Sequence, residues 1–79
     1  MEIIIFGSGC KRCEQLEQAC RDAVTNLNIT ADIKKEQDMN EIIKNGVLLT
    51  PGLMINGKLM ASGKIPTHST LENWIRNAQ

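Results

Sequence analysis

Four apolar residues in succession, Ile3 to Phe6, follow Glu2 and read as a short strand buried on both faces, since a half-buried strand would alternate. Gly7-Ser8-Gly9 breaks the run. Cys13, Leu16, Cys20, Ala23, Val24 and Leu27 then recur at helical intervals, and Glu14, Glu17, Gln18 and Arg21 fall on the opposite, solvated side. Ile29, Ala31 and Ile33 alternate with Thr30 and Asp32, which predicts a half-exposed second strand. Such a strand–helix–strand unit is parallel with a right-handed crossover. Asp38 and Glu41 have the spacing of a capping box for a short helix carrying Met39, Ile42 and Ile43, ended by Gly46. Leu53–Ile55 and Leu59–Ala61 flank Asn56-Gly57, the signal of a type I′ hairpin. After a Ser62-Gly63 turn, Thr67 is placed to cap a last helix whose buried face carries Leu71, Trp74, Ile75 and Ala78. The predicted order is βαβ, helix, ββ, helix: an α/β fold with a four-stranded mixed sheet flanked by helices.

Length changes the picture first. The 79 residues suit a single domain spanning 1–79. With aromatic content of only 3%, the core of that domain has to be aliphatic. Nine basic and nine acidic residues cancel, so there is no basic surface of the kind nucleic acid requires, and Phe6 and Trp74 offer no run of stacking platforms. The apolar runs are far too short to span a membrane. The Ile3–Phe6 run is also too short for a signal-peptide core, and the expected location is the cytoplasm.

The three cysteines carry the candidate chemistry. An odd count suits a reducing compartment and argues against a structural disulfide framework. Cys10 and Cys13 are three residues apart at the start of a helix, where such side chains lie roughly 5–6 Å apart, within disulfide range. The helix dipole favours a thiolate at Cys10. Lys11 and Arg12 add positive charge beside it, opposed in part by Glu14, and the expected Cys10 pKa is below ~7.5. Two uses fit this pair. One is thiol–disulfide exchange; the other is a binding module whose vicinal thiols hold a soft metal or trivalent arsenic.

The element order, with Cys10-Lys11-Arg12-Cys13 at the first strand–helix junction and Thr50-Pro51 just before the hairpin, resembles the thioredoxin fold. The Gly7-Ser8-Gly9-Cys10 opening and the short length are most similar to the small redox-active disulfide proteins. The stretch from Thr50 to Lys58 is similar to the second half of glutaredoxins. The resemblance implies a thiol–disulfide oxidoreductase with Cys10 as nucleophile and Cys13 as resolving thiol. It also implies a cis Thr50–Pro51 bond next to the Cys10 sulfur, with the Thr50 backbone free to pair with an extended substrate segment. No cofactor beyond the Cys10–Cys13 disulfide is implied. The implied partners are a protein or small-thiol disulfide and an upstream disulfide reductase. A monomer is expected on separate grounds, since no helix pattern carries a surplus apolar face. Heavy-metal-binding domains share the Cys-x-x-Cys position but end on a strand and lack the Thr-Pro.

The chain also departs from those families. No tryptophan precedes the pair, and no acidic residue inside the first strand stands as a buried proton acceptor. Ala61-Ser62-Gly63-Lys64 replaces the glutathione-holding Gly-Gly-x-Asp of glutaredoxins. Cys20 lies about 10 Å along the helix from Cys13, too far to share a disulfide or an ion, and reads as a small core hydrophobe. His68 reads as a surface residue, Trp74 as core, and Lys34-Lys35-Glu36 as a solvated strand end.

Overall fold

Alternation within the strands sorts the core into two layers, one on each face of a single sheet. The computed structural model describes residues 1–79. In chain order the elements are β1 (Glu2–Phe6), α1 (Lys11–Asn26), β2 (Asp32–Glu36), α2 (Met39–Lys44), β3 (Gly52–Ile55), β4 (Lys58–Ser62) and α3 (His68–Asn77). The sheet runs β2-β1-β3-β4, with β1 parallel to β2, antiparallel to β3, and β3 antiparallel to β4. This is the mixed sheet and element order expected of a thioredoxin-like fold.

Ile3 and Ile5 of β1 face the same side as Leu53 and Ile55 of β3, since Ile3 pairs with Ile55 and Ile5 with Leu53. There they meet Leu16, Cys20, Ala23 and Val24 of α1 and Leu71 and Ile75 of α3. The alternate residues, Phe6 and Met54, pack on the other face with Ile42 of α2 and with Val47. Each fully buried large aliphatic side chain contributes about 1.5–3 kcal/mol, so the first layer, with more members, is the main source of stability.

Local chemistry explains most boundaries. Helix α1 closes with Asn28 at φ 56°, its N–H donating to the Thr25 carbonyl while Ile29 N–H donates to that of Val24. This is a Schellman cap, with Asn in the role more often taken by Gly. It corrects the expected second strand: Ile29 and Ala31 belong to the cap and connection, and β2 starts at Asp32 and includes Lys34, Lys35 and Glu36. Those charges suit an edge strand, where Lys34 reaches Glu2 at 3.0 Å and Lys35 reaches Glu17 at 3.3 Å. Asp38 caps α2 by accepting from Asn40 N–H. The anticipated return bond from Glu41 is replaced by one from Glu36, whose carboxylate accepts from Asp38 N–H at 3.2 Å.

The hairpin turns at Asn56 and Gly57 with φ 48° and 83°, the type I′ geometry the dipeptide signals. A bulge between Leu53 and Met54 shifts the β3–β4 register, leaving Met60 without a partner. Thr67 Oγ1 accepts from Thr70 N–H at the start of α3. Trp74 is half-buried against the main core, with an edge lining a surface groove with Lys58 and Met60.

One expectation is overturned. Met39 and Ile43 of α2 are exposed, as are Leu48 and Leu49 beyond it, so a surplus of apolar surface does exist. The reason is length: a helix of six residues sets only Ile42 against the sheet.

Candidate active site

Cys10 is the N-cap of α1, with extended backbone (φ −71°, ψ 163°), and its sulfur accepts the Cys13 backbone N–H at 3.2 Å. The Cys13 N–H and the helix N-terminus thus both face the Cys10 sulfur. Cys10 is exposed. Cys13, one turn on, points inward and is only 5% exposed. The pair is joined as a disulfide with Cα atoms 5.1 Å apart. Two sulfurs of one couple are thus held in different solvent environments by the turn of a single helix.

The floor beneath them is glycine for a steric reason. Gly7 is buried, and a Cβ built there would overlap Cys13 Sγ and stand 3.9 Å from Thr50 Cβ. Sequence reasoning took Gly7 only as a strand breaker, because the contact it permits comes from the following helix. Cys13 also borders a cavity of about 110 Å3, which it lines together with Ile5, Gly7, Gly9, Glu14, Lys35 and Gln37. Lys35 had been read merely as part of a solvated strand end. Its ammonium also joins Arg21 in pairing with Glu17, whose carboxyl is held below its ordinary value, first by the Arg21 hydrogen bond.

Thr50 lies near Gly7 as well, and Pro51 follows it. The bond between them is cis, Pro51 is buried and Thr50 is exposed. Gly52 follows because a Cβ there would come within 2.7 Å of Val47 Cγ1, so the residue after the proline sits flat against the α2–β3 connection. The Pro51 carbonyl accepts Gly63 N–H at 2.8 Å, and Ser62 Oγ both donates to the Leu49 carbonyl (2.9 Å) and accepts Leu49 N–H (3.1 Å). Neither backbone group of Thr50 is used within the chain.

Of the residues singled out from sequence, the structure joins Cys10 to Cys13 and sets Cys13 and Thr50 against the same buried residue, Gly7. Lys11 is exposed on the first turn. The Arg12 guanidinium is directed to the Gly63 carbonyl at 3.0 Å. Cys20 is fully buried among aliphatic residues, and burial pushes its thiol up to about 12, leaving it protonated and unreactive at neutral pH. His68 is an exposed residue at the start of α3. No three His, Cys, Asp or Glu side chains converge anywhere in the chain. No helix is long and apolar enough to cross a membrane.

Comparison with known proteins gives the same answer as the geometry. Residues 1–76 match the family model for the thioredoxin domain. The chain is 35% identical over 72 residues to a thioredoxin of Methanothermobacter thermautotrophicus, covering 91% of this chain and 94% of that protein. It is 36% identical over 75 residues to a thioredoxin of Methanocaldococcus jannaschii, covering 95% of this chain and 86% of the relative. With an exposed cysteine capping a helix, a buried cysteine one turn below and these relatives across nearly its whole length, the chain belongs to the thioredoxin family and is a thiol–disulfide oxidoreductase.

Proposed function

We propose that the protein reduces disulfides of proteins or small oxidised thiols, with Cys10 as nucleophile and Cys13 as resolving thiol. The observation that carries this reading is the capping geometry: Cys10 is exposed and hydrogen-bonded at its sulfur, while Cys13 is withdrawn beneath it. The Cys10 thiolate attacks one sulfur of the substrate disulfide, forming a mixed disulfide and expelling the other substrate sulfur as thiolate. Cys13, deprotonated through the adjoining cavity, then attacks Cys10 Sγ. The second substrate thiolate leaves, and the Cys10–Cys13 disulfide forms. Two electrons pass to the substrate. A dithiol reductase upstream restores the reduced pair, and no further cofactor takes part.

Lys11 and Arg12 contribute positive charge at the helix start, and Thr50 and Pro51 form the shelf on which an extended substrate segment lies, paired to the unused Thr50 backbone. The setting is a reducing one, the cytoplasm, which keeps Cys20 free. The test is a pair of variants. Cys13→Ser should accumulate a mixed disulfide with substrate, and Cys10→Ser should neither turn over nor trap. Trapping through Cys13 in the Cys10→Ser variant would reverse the roles. Stoichiometric retention of a soft metal or arsenite by the reduced wild type, without disulfide turnover, would favour a binding module instead.

A further inference from the structure

We propose that Arg12 is a positioning residue: it ties the redox helix to the loop carrying Thr50 and thereby favours disulfides set in extended protein segments over small ones. The proposal rests on the thiol–disulfide activity above. Arg12 is exposed on the first turn of α1, yet its guanidinium donates to the carbonyl of Gly63, 51 residues further along the chain. An ionised donor makes the stronger class of hydrogen bond, and the planar fork of arginine loses less freedom per bond than a lysine would.

Gly63 is not an arbitrary acceptor. It stands at φ 79°, and a Cβ there would lie 2.7 Å from Leu49 Cβ, so both conformation and space demand glycine. Its N–H is given to the Pro51 carbonyl. The preceding Ser62 takes up both backbone groups of Leu49. Through this turn, Arg12 braces residues 49–51 from outside the sheet. The brace occupies the Leu49 N–H, the Leu49 carbonyl and the Pro51 carbonyl, and leaves the Thr50 N–H and carbonyl as the free pair between them.

A substrate segment that lies along Thr50 needs this pair held in place before it arrives, because ordering a loop on binding costs affinity. A small disulfide needs only the Cys10 sulfur. Loss of Arg12 therefore affects the two substrates unequally. A purely electrostatic Arg12, acting on the Cys10 thiolate, would affect both through the same nucleophile and in proportion.

The experiment compares dithiothreitol-driven reduction of insulin with that of hydroxyethyl disulfide for the wild type, Arg12→Met, Ser62→Ala and the double variant. The ratio of kcat/KM for insulin to that for the small disulfide should fall roughly five- to tenfold in Arg12→Met, chiefly through KM, because the unbraced loop must then be ordered as the segment binds. Ser62→Ala should shift the ratio the same way. The double variant should lose no more than the larger single effect, because both residues hold one loop. Proportional losses on both substrates, or fully additive losses in the ratio, would overturn the proposal while leaving the activity intact. A wild type that reduces neither disulfide would instead remove the activity reading, and the proposal with it.

Discussion

Cys13 and Cys20 lie on the same face of the same helix, and both are withdrawn from solvent, one 5% and the other 0% exposed. Their states nevertheless differ: Cys13 is disulfide-bonded and Cys20 is a free thiol. Cys13 has a second sulfur one turn before it, a glycine beneath it and a small cavity bordered by Glu14, Lys35 and Gln37 beside it. Cys20 has Leu16, Ala23, Val24 and the aliphatic residues of the sheet and α3. What distinguishes the two ends of α1 is whether a partner sulfur and a cavity reach the thiol, and the N-terminal end of the helix has both.

Exchanging the cysteines gives the largest contrast. Cys10→Ser should abolish turnover of any disulfide substrate, whereas Cys20→Ala should retain it, as read by reduction assays on the two variants side by side. Loss of activity in Cys20→Ala with the fold preserved would erase the distinction. The next effect comes from the floor of the site. Gly7→Ala places a methyl group against Cys13 Sγ, an overpacking that should cost about 1–3 kcal/mol in denaturant unfolding and hinder closure of the Cys10–Cys13 disulfide. The same substitution would pass unnoticed if Gly7 served only to end β1.

At alkaline pH the comparison can be read from the Cys20 side. Its folded pKa, about 12, lies above the ordinary thiol value of 9.0, so the unfolded chain releases the proton first. The stabilisation is complete below the unfolded value and is lost as pH rises through the folded one. Between them stability should fall by about 1.4 kcal/mol per pH unit, a component that disappears in Cys20→Ala. Identical alkaline profiles for wild type and variant would mean that Cys20 reaches water after all.

The smallest effect concerns Glu17, between the two cysteines in sequence but on the other face of α1, which joins Arg21 and the cavity-lining Lys35. Its folded pKa is lowered, first by the Arg21 hydrogen bond, from an ordinary value of 4.5. Its contribution is therefore present above that value and lost as pH falls through the lower one. Glu17→Gln should cost about 0.5–1 kcal/mol at pH 7 and flatten the acid limb of the stability curve.

What could be read in advance follows from the range of the interactions. The apolar stripe of α1, the Asn56-Gly57 turn, the Thr67 cap and the inward and outward placing of Cys13 and Cys10 are local, written in spacings of two to four residues. The start of β2 was misplaced because Asn28 closes α1 with a Schellman cap, and Ile29 supplies that cap's hydrogen bond. The demand for glycine at position 7 and the reach of Arg12 to Gly63 depend on elements that meet only after the sheet has formed, and no local pattern encodes them. The exposure of Met39 and Ile43 follows from the shortness of α2, which a periodicity of apolar residues does not reveal.

The central claim is that Cys10 and Cys13 form one reversible redox couple from which Cys20 is excluded. Equilibration of the purified protein in glutathione buffers, with alkylation and intact mass as readout, tests it most directly. A single two-electron transition is expected at about −200 to −290 mV, a range that takes in thioredoxin and the glutaredoxins, with Cys20 remaining a free thiol throughout. No Cys10–Cys13 disulfide anywhere in that range, or a disulfide that includes Cys20, would contradict the account.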